Sequence, residues 1–582
     1  MSSPVFPDTG GTHERGTSSL VSPVTPSGRS SDHLTPLTHS SMLSSRRWPA
    51  DEPRPAASQG TPTKRNDSAA SDGTGKSELL GLDMSGSKIK TLTPGICRFT
   101  FLTELRLSNN FITRLPPGVG QLRSLAFLDL SNNQLTELPS EVGWLCNMKE
   151  LLLFNNHIQD LPGEMGYLYQ LENFGIEGNP INENLLQIVH SQGALAIIPF
   201  LRDHMISTFG IKSNIVAIAP PSDRSWLNVD SYAGGSRNAV TVLCYNVLCD
   251  KYATSQMFGY VPSWFLNWDY RKQLILHEIL SYDADIVCLQ EVESSQFDQY
   301  FKPQLRMRGG YDGVFSPKSR ARTMSEWDRS FKFEDKTLVE FNQVALSRPS
   351  LRKHKDMYNR VMTRDNIAVI VRLEHKESRQ EVLVGNVHIH WDPSFRDVKL
   401  VQTIMLIEEL EKISMVHPKA AIIVCGDFNS LPGSGVCSFL ETGTVRPDHP
   451  DFMKHTYEPY TTEGANHSLN LKNAYSLAPD PLNFTSFTPM FLGVIDYVWF
   501  RPGGLSVNGC LGPVSTEYAR QIVGLPSQHL PSDHISLLVE FKIESSPQAF
   551  KREGGGLRYQ TSHPDMSGPA RRMYSRNKNA MT

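Results

Sequence analysis

The chain has 582 residues, more than one ordinary domain holds, so two or three folded units are expected. Lys and Arg number 57 against 60 Asp and Glu, a formal charge of −3, which excludes a histone-like polybasic binder and leaves any nucleic acid to a local site. No stretch approaches the roughly 18 apolar residues of a membrane-spanning helix, Met1-Ser2-Ser3-Pro4 opens no secretory signal, and cysteines without a CxxC pair argue for a reducing compartment rather than a disulfide framework or zinc site.

Residues 1–75 hold 33 Ser, Thr or Pro residues and almost no aromatic ones. Such a segment buries too little apolar surface to offset its ordering entropy and reads as a disordered tail. Its Ser-Pro and Thr-Pro pairs, such as Ser22-Pro23 and Thr61-Pro62, are candidate kinase targets inside what is foremost a solvated segment.

A repeat organises residues 76–210. Asn110, Asn133, Asn156 and Asn179 fall 23 residues apart. The best copies read Leu105-x-Leu107-x-x-Asn110-x-Ile112-x-x-Leu115-Pro116, Leu128-x-Leu130-x-x-Asn133-x-Leu135-x-x-Leu138-Pro139 and Leu151-x-Leu153-x-x-Asn156-x-Ile158-x-x-Leu161-Pro162. This is the leucine-rich-repeat signature, with one short strand per repeat and a continuous stacked core. The recurring asparagine is expected to satisfy backbone groups of neighbouring turns. Degenerate copies around Leu82 and Phe174 flank the array, and a helical, capping-like stretch runs from Glu183 to His204. Such repeats bind proteins more often than they catalyse. Glu104, Arg106, Asp129 and Glu150, beside the strand leucines, are candidates for a partner surface, although each alone is more simply a solvated charge.

A linker, 211–239, carries Pro220-Pro221 and Gly234-Gly235. From 240 to 545, apolar β-rich runs (Val240–Tyr245, Asp285–Leu289, Ile367–Leu373, Val382–Val387, Ala420–Cys425, Val494–Phe500, Ile535–Phe541) alternate with helical periodicity at Tyr270–Tyr282 and Val398–Ile413, the pattern of an α/β domain. Residues 546–582 form a second disordered tail, with seven basic and two acidic residues from Lys551 onward and a weak electrostatic affinity for RNA.

Chemistry-bearing residues gather at strand ends: Asn246; Gln290-Glu291; His388 and His390; Gly426-Asp427-Phe428-Asn429; Asp496; Ser532-Asp533-His534. Strands that deliver carboxylates, amides and a histidine to one rim build a pocket. Any one of these residues has an ordinary structural reading; six placements of the right types do not. Hard oxygen donors without cysteine suit Mg²⁺ or Mn²⁺ rather than zinc, and the set suits metal-assisted phosphodiester hydrolysis. Glu291 can anchor the cation. Asp427 and Asn429, two apart on an extended segment, point the same way and can align water and phosphate. Asp496 can orient His534.

Together Asn246, Leu289-Gln290-Glu291, Gly426-Asp427-Phe428-Asn429-Ser430, Ile495-Asp496-Tyr497 and Ser532-Asp533-His534 resemble the endonuclease/exonuclease/phosphatase superfamily, whose members pack two sheets between helices. Finer strings (Tyr245–Ala253, Trp268-Asp269-Tyr270-Arg271, Phe341-Asn342-Gln343, His388-Ile389-His390-Trp391-Asp392-Pro393) resemble the carbon catabolite repressor protein 4 type deadenylase, which also carries leucine-rich repeats ahead of its nuclease domain. The fold this implies is α/β: a leucine-rich-repeat solenoid followed by a two-sheet α/β sandwich nuclease domain.

By that resemblance the chain removes mRNA poly(A) from the 3′ end, releasing 5′-AMP with Mg²⁺ (Mn²⁺ as a substitute), within the Not deadenylase complex in cytoplasm and nucleus. Its repeats would dock on the partner deadenylase subunit. Glu291 would be the principal metal ligand with Asn246 and Asp533 beside it. Asp427, Asn429, Asp496, His534 and Asn246 would serve catalysis. His388, Pro393, Phe491 and Asn429 would bind substrate, Pro393 and Phe491 holding the adenine. Base stacking contributes about 1–3 kcal/mol without strong base preference, so adenine selection needs further contacts.

One departure stands out. Where the family has an apolar strand close to Asp-Gly-Cys-Ala-Ile-Phe, this chain runs from Ser325 through Phe333 directly into Asp335–Phe341. A core strand is missing unless a nearby segment substitutes, since its neighbours would be left with unbonded backbone groups. Two rival readings follow: a catalytically impaired scaffold that binds through its repeats, and a phosphodiesterase or phosphatase of the same superfamily with another substrate.

Overall fold

Repeating leucines 23 residues apart stack because each copy turns once and returns its strand beside the last. The computed structural model describes residues 80–204, 218–229, 239–317, 322–328 and 330–544. Both tails and most of the linker lie outside the described residues, as do the Ser-Pro and Thr-Pro pairs. Strands Gly81–Asp83, Glu104–Arg106, Phe127–Asp129, Glu150–Leu152 and Asn173–Gly175 form a parallel sheet, with Leu82, Leu105, Leu128, Leu151 and Phe174 in register. Leu105, Leu107, Leu128, Leu130, Leu151 and Leu153 are buried in one continuous core. Each such side chain contributes about 1.5–3 kcal/mol.

The asparagine pairs in each copy divide two tasks. Asn109, Asn132 and Asn155 take left-handed backbone (φ 57, 55 and 52), a conformation asparagine tolerates better than most residues. The asparagine that follows is buried. Asn133 donates from Nδ2 to the carbonyls of Leu107 and Leu130 (2.9 and 3.0 Å) and accepts from the Ile112 N–H (3.0 Å), and Asn110, Asn156 and Asn179 repeat this ladder. A buried amide therefore bonds each repeat to the one before it. We predict that Asn133→Ala, which strands those backbone groups, costs about 2 kcal/mol or more in denaturant unfolding; a loss under about 0.5 kcal/mol contradicts the ladder's role.

Helices Glu183–Gln192 and Ile197–His204 cap the array. The single helical stretch expected here is divided at Gly193, whose φ of 86 ends the first helix. The cap leans on the segment that follows Asn246: Arg202 donates to the Gly259 carbonyl (3.0 Å), and Asp203 accepts from the Ser263 N–H (3.0 Å). Cys146, Phe258, Tyr260, Val261 and Phe265 share one apolar cluster there.

Two sheets make the second part. In spatial order the seven-stranded sheet runs Trp226–Asn228, Leu505–Leu511, Leu537–Ile543, Ala239–Asn246, Ile286–Gln290, Arg322–Asp328, Asp312–Pro317. The six-stranded sheet runs Phe331–Glu340, Ile367–His375, Glu381–His388, Ala421–Asp427, Asp496–Phe500, Lys472–Asn473. Strand alternation sorts the core: Ile423 and Cys425 face the opposite sheet, whereas Ile422 and Val424 pack in the cluster beneath helix Arg396–Val416.

Each sheet contains one parallel pair joined by a helical crossover. Ala239–Asn246 lies parallel to Ile286–Gln290 with helix Trp268–Tyr282 between them in sequence, and Glu381–His388 lies parallel to Ala421–Asp427 with Arg396–Val416 between. Parallel strands end on the same side, which places Asn246 beside Gln290 and His388 beside Asp427. Carboxyl ends of such strands are where α/β sheets form ligand crevices.

The position expected to lack a strand is filled. The backbone of Arg322–Asp328 pairs antiparallel with Ile286–Gln290 on one side and with Asp312–Pro317 on the other, and Phe331–Glu340 then opens the second sheet. A polar segment substitutes because antiparallel pairing is made by backbone groups that every non-proline residue carries. No helix among the described residues is long and apolar enough to cross a membrane.

Candidate active site

The two sheets meet at one rim, where an amide bridges them. Asn246, the last residue of its strand, lies with Nδ2 3.1 Å from Asp427 Oδ2 and 3.4 Å from Glu291 Oε1, so it bridges carboxylates from opposite sheets. His388 stands on the same spot, its Nε2 3.6 Å from Asp427 Oδ2 and 4.0 Å from Glu291 Oε1. Glu291 follows its strand in left-handed backbone (φ 62) and accepts from the Cys249 N–H (3.0 Å). Non-glycine residues with positive φ cost energy and concentrate at functional sites; Leu248 (φ 51) and Asn429 (φ 49) are two more here.

A second edge carries the imidazole. His534 Nδ1 lies 2.8 Å from Asp496 Oδ2 and its Nε2 3.7 Å from Asp427 Oδ2; one ligand atom from each of these three buried residues falls within 4.8 Å of the others. Asp427 and Asp496 face each other because their strands pair antiparallel at that position. Thr485 Oγ1 accepts from the N–H groups of Ile495 and Asp496 (2.9 and 3.0 Å). Ser532 Oγ donates to the Asn246 carbonyl (2.6 Å), fastening the approach to Asp533 and His534 onto the first strand.

The structure thus joins Asn246, Glu291, His388, Asp427, Asn429, Asp496 and His534 through direct polar contacts. Asp533 is half-buried beside His534 and feels the charges of Glu291 and Arg271. Pro393 is exposed on a loop and Phe491 half-buried in the short strand Phe491–Gly493, both outside this contact set. Both segments are tethered to it: Asn429 Nδ2 donates to the Ile389 carbonyl (3.0 Å), and Ser486, in the strand paired with Phe491–Gly493, bridges to His534.

One expectation is corrected. Asp427 and Asn429 do not sit on an extended segment, because the backbone leaves the sheet after Asp427 and Asn429 turns left-handed. The two residues still touch, through the Asn429 backbone N–H donating to Asp427 Oδ1 (2.8 Å).

Electrostatics set the character of the rim. Burial, with the nearby charge of Asp496, pushes Asp427 up to about 7, against the pull of His534, the Asn429 N–H and Asn246. Burial and Glu291 raise Asp533 to about 6, with His534 and Arg271 opposing. Burial alone would lower His534, but Asp496, Asp427 and Asp533 outweigh it and hold the imidazolium well above its ordinary range. Carboxylates crowded until they resist ionisation are what a divalent cation relieves. The carboxylates of Glu291, Asp427 and Asp533 make this an edge of hard oxygen donors, which fits a divalent cation, whereas Asn246 turns its Nδ2 to the edge and its Oδ1 accepts from the Leu248 N–H (3.1 Å). Asp427, Asp496 and His534 form the tightest group by distance, yet Nδ1 of His534 is already engaged with Asp496. The oxygen edge is therefore the better cation site.

Behind the rim, Arg271 and Asn386 have supporting roles that the sequence reading does not assign. Arg271, fully buried, donates to the carbonyls of Leu248 (2.8 Å), Val247 (3.3 Å), Pro531 (3.2 Å) and Leu266 (3.2 Å), tying the turn after Asn246 to the turn before Ser532. Gln290 donates to Asn386 Oδ1 (2.8 Å), and Asn386 donates to the Leu289 carbonyl (3.2 Å), linking the sheets beneath the site. The only signal for Arg271 was its place in the string Trp268-Asp269-Tyr270-Arg271, which named no role.

Residues 243–534 match the Endonuclease/Exonuclease/phosphatase family, and residues 100–141 match two copies of Leucine Rich repeats. The chain is 44% identical over 421 residues to the CCR4-Not complex 3′-5′-exoribonuclease subunit Ccr4 of Mycosarcoma maydis, covering 65% of this chain and 61% of that protein. It is 36% identical over 425 residues to the protein of that name from Phaeosphaeria nodorum, covering 64% and 69%. The chain therefore spans less than two thirds of the length of the Mycosarcoma relative. Among solved structures, ANGEL2, a 2′,3′-cyclic phosphatase, aligns with TM-score 0.47 and 24% identity over 55% of this chain and 99% of that one.

Proposed function

The chain belongs to the endonuclease/exonuclease/phosphatase family, and from that premise we propose that it is a Mg²⁺-dependent 3′-to-5′ exoribonuclease that shortens poly(A), releasing 5′-AMP. The observation that carries this reading is Asn246 bridging Glu291 and Asp427 beside the His534–Asp496 pair. Hydrolysis of a 3′-terminal phosphodiester needs a water deprotonated as it attacks phosphorus, donors on the phosphate oxygens, and relief of charge on the departing 3′-oxygen.

Asp427, pushed up to about 7, is matched to accept the water proton near neutral pH. The amides of Asn246 and Asn429 are donors for phosphate oxygens. His534, held by Asp496, presents positive charge where negative charge builds. Glu291, with Asn246 and Asp533, would hold the cation, which when bound neutralises phosphate charge and lowers the pKa of water. Pro393 and Phe491 would flank the terminal adenine. The relatives' names support assignment to a CCR4-Not type complex. In this reading the repeats are the docking part for the partner deadenylase subunit, with Glu104, Arg106, Asp129 and Glu150 among the contact candidates, and the chain works in both cytoplasm and nucleus. The pairing of Arg322–Asp328 with Ile286–Gln290 speaks against the impaired-scaffold reading.

The test is turnover of labelled oligo(A), oligo(U) and inositol polyphosphates by the full chain, each with Mg²⁺ and with excess chelator. We expect AMP from oligo(A) only, lost on chelation and restored by Mg²⁺. Equal cleavage of oligo(U) removes the poly(A) assignment, and phosphate release from inositol polyphosphates without AMP removes the nuclease.

A further inference from the structure

Lys399 is a buried cation with no part in the chemistry above. It lies in the first turn of helix Arg396–Val416, the crossover between the strands ending in His388 and Asp427, and is only 5% exposed. Its ammonium donates to the backbone carbonyl of Asn429 at 2.6 Å. Burial presses the group down to about 8, against the charges of Asp427, Asp392 and Asp451.

An ammonium withdrawn from water is expensive unless its bonds replace what hydration supplied. Here the bond falls on a residue whose geometry needs holding. Asn429 keeps a left-handed φ of 49 while its N–H bonds Asp427 Oδ1 and its side-chain amide bonds the Ile389 carbonyl. One turn further along the helix, Gln402 accepts from the His390 N–H (3.0 Å) and donates to Asn366 (3.3 Å), whose amide donates to the His388 carbonyl (3.1 Å). One helix end therefore fixes both loops that face the phosphate, Gln402 holding the histidine loop and Lys399 the asparagine turn.

We propose that Lys399 is a positioning residue for phosphodiester cleavage: by clamping the Asn429 carbonyl it holds the turn from which the Asn429 N–H aligns Asp427 and the Asn429 amide reaches the phosphate. The proposal rests on the nuclease reading above. Lys399 touches no reacting atom and acts through Asn429.

The experiment compares wild type, Lys399→Met, Lys399→Arg, Asn429→Ala and the Lys399→Met/Asn429→Ala double variant as full chains on labelled oligo(A) with Mg²⁺. Lys399→Met is expected to lower kcat about 10–100-fold, the scale of a misaligned catalytic group, with KM within about threefold. Lys399→Arg, which keeps a donor, is expected to recover part of the loss. In the Asn429→Ala background Lys399→Met should have a smaller effect than in wild type, because the side-chain amide is gone and only the backbone N–H is left for the clamp to position. Should Lys399→Met fail to fold, Lys399→Gln takes its place with the same expectation.

Retention of kcat within about threefold of wild type, a change in KM alone, or effects that multiply in the double variant overturns the proposal. If wild type is inert on oligo(A), the substrate reading fails by itself. The same variants are then compared on whichever phosphodiester it hydrolyses, and wild type inert on all of them ends both readings.

Discussion

Asp427→Asn is expected to reduce AMP release about a thousandfold or more while leaving the protein folded. The amide keeps the side chain's shape and its acceptor for the Asn429 N–H, but it can take no proton from water and offers a cation a weaker ligand, two losses that each reach the general-base or electrostatic range of about 10²–10⁴. Stability should move the other way. Asp427 titrates near 7 in the folded chain against a carboxylate's ordinary 3.8, so folding favours its protonated form. The stabilisation is full below the unfolded value and is lost as pH rises through about 7. In chelator, the asparagine variant should therefore melt above wild type at pH 8 and match it at low pH. A variant that hydrolyses oligo(A) within tenfold of wild type refutes Asp427 as base.

Gly426→Ala should prevent the nuclease part from folding. Gly426 has φ +145, where an L side chain is strained, and an added Cβ would sit 1.9 Å from the Val387 carbonyl oxygen and 2.8 Å from its carbon. Both atoms are backbone of the neighbouring strand and cannot swing aside as a side-chain tip would. Accommodation would push apart the strands that place His388 beside Asp427. A penalty beyond about 4 kcal/mol is in keeping with such a clash, and typical domains have only about 5–15 kcal/mol in total. We expect loss of soluble, cooperatively unfolding protein; an alanine variant melting within a few degrees of wild type would show that the strand pair yields.

Much of this arrangement could be read from residue order because it is periodic or local. Leucines every 23 residues must stack if each turn closes, and alternating runs ending in Asn246, Glu291, His388 and Asp427 bring those residues to one rim once parallel pairing is assumed. What escaped depends on tertiary context. Arg271 and Lys399 stand in helical patterns where a charge normally marks the solvated face, and nothing local says that these two point inward. The turn at Asn429 reads as extended chain because Gly426-Asp427-Phe428-Asn429 alternates polar and apolar residues as a strand does, and buried Phe428 completes that pattern. That Arg322–Asp328 is the substituting segment is not legible for the converse reason: its composition is that of a loop, and the edges of Ile286–Gln290 and Asp312–Pro317 recruit it.

That recruited segment divides the seven-stranded sheet energetically. Asp312–Pro317 joins the sheet's hydrogen bonding only through Arg322–Asp328, whereas Ala239–Asn246 and Ile286–Gln290 are zipped to each other directly. The two outer strands can consequently detach as a small cooperative unit, exposing to solvent deuterium their own amides and those of Ile286–Gln290 that face them, while the pairing between Ala239–Asn246 and Ile286–Gln290 stays protected. Fraying at that margin leaves closed the strand pair that carries Asn246 and the Glu291 turn, so the chain can tolerate an improvised strand there.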